Sequence, residues 1–177
     1  MKINILTLAF ILLSLYSKSQ VLIEKQTAGK MTLVKASIPN IKALFEMSNA
    51  AFETTITSMG YSNKEVKDGH LSFSKGTADT EGRHHISKLR SVVSFDWMHR
   101  GNSNTLLDEL VKQLQPCFVS QIKTMRRYQL TDGGFTYIFF IMIDDDFEDV
   151  TITRLPGVRA PIVSGQPGSR IIQVPAR

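Results

Sequence analysis

Residues 135–143, FTYIFFIMI, leave this chain few architectures. The preceding Asp132-Gly133-Gly134 is a tight-turn signal, so the run starts as the second arm of a hairpin. Its residues are apolar at odd and even positions alike. A strand with no polar side belongs in the middle of a sheet, or has one face covered by a partner. Asp144, Asp145 and Asp146 then turn the chain, and FEDVTITRL (147–155) returns as a last strand.

Other extended segments supply that sheet. Asp68-Gly69 is a hairpin turn between Val66 and the alternating Leu71 and Phe73. Leu89, Ser91, Val93, Phe95 and Trp97 recur at period two, which predicts one strand with one buried face. Residues 21–25 and 31–35 are two short strands around QTAGK. Two helical stripes must cover the sheet. In the first, Ser37 is the cap, Pro39 suits the first turn and Gly60 is the stop. Ile41, Leu44, Phe45, Ser48, Phe52, Ile56 and Met59 lie between them on one face. The second opens at RGNSNT, with Asn104 or Thr105 as cap. It carries Leu107, Leu110, Val111, Leu114, Phe118, Ile122 and Met125 on one stripe, kinked at Pro116.

The two stripes end in similar phrases, FETTITSMGY (52–61) and FVSQIKTMRRY (118–128), and a turn signal follows each. The expected fold class is therefore α+β, with two amphipathic helices packed on one face of an antiparallel sheet. The match suggests a duplicated α-β-β-β unit, residues 37–99 and 102–155, within a single domain spanning 20–155. This architecture resembles that of secreted inhibitor proteins built from tandem helix-and-sheet repeats. No motif is shared with them, and no residue role carries over.

Residues 1–19 have the layout of a signal peptide: Lys2, an apolar stretch from Ile3 to Tyr16, then Ser17 and Ser19. Cleavage is expected after Ser19, giving a secreted or periplasmic protein with no transmembrane segment left. The apolar run is shorter than the ~20 residues a spanning helix needs. Residues 156–177 form a Pro/Gly-rich basic tail, expected to be disordered. Charge must be read against this division. The formal charge is +5, but Lys2, Lys18, Arg154, Arg159, Arg170 and Arg177 lie outside residues 20–153. That segment holds fifteen basic residues against all sixteen acids. A basic face for nucleic acid thus loses its main support.

Few residues suggest chemistry. His70, His84 and His85 are the candidate metal ligands, through a site closed across a hairpin. His84 and His85 are neighbours, so on a strand they point to opposite faces. His99 lies at the far end of the same run. Asp144, Asp146 and Glu148 could form a loose calcium site, although the central glycine of an EF-hand is missing. Cys117, the lone cysteine, is the one thiol nucleophile available, and reads rather as a small buried hydrophobe. No nucleophile elbow, phosphate loop, dinucleotide fingerprint or zinc-protease motif occurs. The sequence therefore favours an exported, non-enzymatic protein without a cofactor, whose partner is another protein: an interaction, inhibitor or immunity-type module. The alternative is an envelope protein that binds a small ligand or a metal through His70, His84 and His85.

Overall fold

Turn chemistry sets the topology. Asp68 and Gly69 both adopt positive φ, 50° and 76°, the geometry that matches the twist of a two-residue hairpin. They join β3 (Ser62–Lys67) to β4 (His70–Thr77). Gly133 and Gly134, at 58° and 78°, likewise join β8 (Met125–Asp132) to β9 (Phe135–Asp144), and Asp145-Asp146 joins β9 to β10 (Phe147–Pro156). The computed structural model describes residues 22–77, 82–98 and 106–157. These form an α+β fold of three helices, an eight-stranded antiparallel sheet and a two-stranded sheet, β1 (Lys25–Ala28) with β2 (Met31–Val34). The remaining strands are β5 (Gly82–Leu89), β6 (Val92–Met98) and β7 (Phe118–Ile122). The large sheet runs β3-β4-β5-β6-β10-β9-β8-β7. The apolar run is thus an interior strand of the sheet, one of the two places its pattern allowed, with Ile138, Phe140 and Met142 on one face partly exposed.

Register places the core. Phe73, Ile86, Phe95, Val150 and Ile141 form one row across five strands, each at most 2% exposed. The helices contact the face that carries this row. Phe52 of α2 (Asn49–Ser58) meets Phe73 with ring centroids 6.0 Å apart, and Phe45 of α1 (Ile38–Glu46) meets Tyr137 at 5.9 Å. Lys88, buried in β5, donates from Nζ to the carbonyls of Leu44 and Met47, closing the C-terminal end of α1. Burial and the nearby Arg154 lower its pKa. At α3 (Asp108–Leu114), Glu148 from β10 accepts from the N–H groups of Leu106 and Leu107, at 3.2 and 3.0 Å. No helix among the described residues is long and apolar enough to cross a membrane.

Several expectations need correction. The first helical stripe is two helices. Ser48 caps the second through the Ala51 N–H and is no member of the stripe. The second stripe ends much earlier than its periodicity suggested. Pro116 denies an N–H to the helix and lies in a 3₁₀ turn (Gln115–Cys117), after which the chain is extended. FVSQIKTMRRY is therefore a strand, a turn at Lys123 (φ 53°) and a second strand, while FETTITSMGY ends a helix. The two phrases do not occupy equivalent places. Each half has four strands after its helix, so Asp68-Gly69 corresponds in order to Lys123-Thr124, not to Asp132-Gly133. The run Leu89–Trp97 is likewise broken, by a turn at Arg90 (φ 39°). Asn104, Thr105, His99, the predicted signal peptide and the tail beyond Gly157 lie outside the described residues.

Candidate functional site

The turn at Arg90 assembles the most polar part of the sheet. It folds β6 back on β5 so that His85 stands directly opposite Asp96, and Asp96 opposite Asp149 of β10. All three project from the face that the helices leave uncovered. His85 Nδ1 donates to Asp96 Oδ2 at 2.6 Å. Burial alone would raise the Asp96 carboxyl, but hydrogen bonds from His85 and Asp149 outweigh it and hold the group below its ordinary range. Asp149 moves the other way. Burial, then its hydrogen bond to Asp96 and the charge there, push it up to about 8. At neutral pH the row is an ionised Asp96 receiving one proton from each side.

Beside the row is a recess of about 440 Å³, lined by Arg83, His85, Asp96, Met98 and Phe147. Ser74 continues the row on β4, opposite His85. Serine, histidine and aspartate in this order are the residue types of an acyl-transfer triad. The geometry does not make one. Ser74 is 1% exposed, and its Oγ accepts from Asn63 Nδ2 at 3.3 Å. Among the described residues it has no hydrogen bond to His85. The next row is hydroxylic, with Ser87 Oγ and Ser94 Oγ 2.6 Å apart. Around these polar rows the same face presents Ile138, Phe140, Met142, Met125, Met98 and Leu155, all at least partly exposed.

The three candidate histidines are not brought together. His84 points to the helix face, where it is 2% exposed and takes a hydrogen bond at Nδ1 from the Tyr61 hydroxyl at 2.8 Å. That hydroxyl in turn accepts from the Val34 N–H at 3.1 Å. Burial lowers His84 to about 3, so it is a neutral core histidine packed between Tyr61 and Trp97. The same burial raises the Tyr61 phenol. His85 is on the opposite face, and His70 begins β4, four residues from Ser74, the partner of His85. Among the described residues no three His, Cys, Asp or Glu side chains are arranged to hold a metal ion.

Glu148 does not join Asp144 and Asp146 either. Those acids are at the exposed β9–β10 turn, whereas Glu148 is 1% exposed beneath α3, its carboxyl raised by burial to about 7. Cys117 is half-buried in its 3₁₀ turn rather than part of the core. Sequence reasoning missed Asp96 and Asp149, since their place opposite His85 depends on a turn that no glycine marks. Comparison with protein families, with curated proteins and with solved structures finds no match for this chain.

Proposed function

We propose that the chain is an exported, non-enzymatic protein of the cell envelope or extracellular space that binds another protein through its sheet. One observation carries this reading. All three helices contact one face of the eight-stranded sheet, and the other keeps apolar side chains in solvent, with Met98, Met125 and Leu155 more than 40% exposed. Exposed apolar surface around a polar centre is the composition of a recognition surface. Export is the second part of the proposal and rests on the layout of residues 1–19. The mature chain would begin at Gln20, which N-terminal sequencing of exported protein checks.

Photocrosslinking from position 142 in the native host tests the binding face. A single crosslinked partner, lost when Phe140 is changed to Glu, is the expected outcome. Crosslinks that are absent, or unchanged by Phe140→Glu, would remove this face from consideration.

A second reading has its own observation, the 440 Å³ recess beside the His85–Asp96–Asp149 row. It would make the chain a small-ligand carrier using His85, with neither His70 nor His84 taking part. Ligand-induced shifts confined to Arg83, His85 and Met98, without any protein partner, would favour it. A duplicated origin is a further proposal. It draws support from the shared order, a helix and then four antiparallel strands, and not from the similar phrases.

A further inference from the structure

The eight-stranded sheet ends in two edge strands, β3 and β7. A bare edge presents unpaired N–H and C=O groups and templates the addition of another strand, so proteins guard edges with charges and bulges. Strand β3 is guarded in this way. It is exposed throughout, carries Lys64, Glu65 and Lys67, and has a register shift between Ser62 and Glu65. Strand β7, FVSQI, shares such a shift, between Phe118 and Ser120, but has no charged residue. It exposes Phe118, Val119 and Ile122 at 48%, 47% and 75%. Its side chains also divide between the faces. Phe118 packs on Tyr128 toward the helix side, ring centroids 5.6 Å apart, while Ile122 stands opposite Met125 toward the open side. A strand added here would be gripped above and below.

Charge selects among the possible occupants. From 110 to 131 the chain has Lys112, Lys123, Arg126 and Arg127 and no acid. Among the described residues none of these four makes an ion pair. A second copy docked edge to edge would bring this basic region against itself, which is unfavourable. One orphaned donor points the same way. Arg127 Nε is buried without a hydrogen-bond partner among the described residues, although buried donors are almost always paired. By register Arg127 is opposite Ser120, the small residue of β7. A carboxylate on an added strand, level with Ser120, would have only the serine between itself and Arg127.

We propose that the β7 edge binds an extended segment of a partner protein by strand addition. The segment alternates apolar side chains, seated on the helix side beside Phe118, with acidic ones on the open side, level with Ser120 and directed at Arg127. Main-chain hydrogen bonds supply affinity in this mode, and side-chain pockets supply choice of sequence. The inference rests on the protein-binding reading above and names the surface and the partner's chemistry.

The test uses the full chain and two synthetic peptides, acetyl-Thr-Val-Glu-Val-Glu-Val-Thr-amide and its counterpart with lysine in place of both glutamates. Backbone amide NMR should show the acidic peptide shifting residues from Phe118 to Met125. The lysine peptide should bind about tenfold weaker or worse, the size expected for losing one well-placed charged hydrogen bond. Val119→Lys and Arg127→Gln, each checked for an unchanged amide spectrum away from the edge, should both weaken the acidic peptide. No shift in β7, equal binding of both peptides, or a dimer formed through β7 would each overturn the proposal. Shifts at Phe140 and Met142 in place of β7 would overturn it while leaving the protein-binding reading standing.

Discussion

Residues 38–98 and 108–156 each pass from helix into four antiparallel strands, yet the two halves are finished differently. The first has two helices, of nine and ten residues, and closes its outer edge with a charged strand. The second has one seven-residue helix, and its outer edge is apolar and exposed. Equal element order has not brought equal burial. Phe52 and Phe118 show the difference at single residues, one fully buried against Phe73, the other 48% exposed on an edge strand.

The largest expected effect separates those two phenylalanines. Phe52→Ala should cost about 3–5 kcal/mol, the range for a buried Phe and the cavity it leaves. Phe118→Ala should cost about 1 kcal/mol or less, because much of its ring is already in solvent. Urea denaturation of both variants measures this, and equal losses would break the comparison.

The helix starts provide the next contrast. In the first half Ser37 caps α1 from within the adjoining sequence. In the second, Glu148 reaches up from the sheet to hold the start of α3. Glu148→Ala should cost about 2 kcal/mol, since two N–H groups lose a buried acceptor. Ser37→Ala should cost about 1 kcal/mol, the usual value of a cap. Circular dichroism melts would reveal a reversed order, and that would mean α3 is held from elsewhere.

The seam between the halves, β6 against β10, has its own signature in pH. Asp149 is raised by burial and by Asp96 to about 8, well above its unfolded value. The native state then holds a proton that the unfolded state has released, so this stability is complete below about pH 4 and lost as pH rises through 8. Glu148, raised to about 7, acts in the same direction. Asp149→Asn should therefore flatten the fall in Tm between pH 5 and 9 and raise Tm at the alkaline end. A steeper fall in the variant would show that the carboxyl is ionised in the native protein.

The smallest effects lie at the edges. Val66→Lys on β3 and Ile122→Lys on β7 should each change stability within about 0.5 kcal/mol, as for exposed positions generally. A loss well beyond this at Ile122 in thermal melts would mean that the second edge is covered after all.

Much of this fold could be read where the local chemistry had one interpretation. Asp68-Gly69 and Gly133-Gly134 require positive φ at both turn residues, and the hairpins fall on them. Ser37 with Pro39, and the two-sided apolar run of β9, were equally legible. Residues 118–125 were not. Phe118, Ile122 and Met125 fit a helical stripe by spacing, and only Pro116 and the exposure of that stripe reveal two edge strands. The candidate site was least legible. Asp96 and Asp149 reach His85 through pairings set by a glycine-free turn at Arg90 and by contact between distant strands. Neither pairing leaves a mark in the nearby sequence.

Strand β10 is the last strand among the described residues and has the middle of the sheet for its place. Synthesis order and spatial order therefore run against each other. Until residues 147–156 have emerged, β6 and β9 have no neighbour on their facing sides, and both carry buried aromatic groups, Phe95 and Trp97 on β6 and Tyr137 and Phe139 on β9. Non-local pairing of this kind is slow to form, and open strand sides are liable to aggregate while they wait. A nascent chain cut short before Phe147 would hold two half-sheets with sticky inner margins. Folding that begins only after the whole chain is released, as it would following passage through a membrane unfolded, avoids that interval, because the keystone strand is present from the first moment.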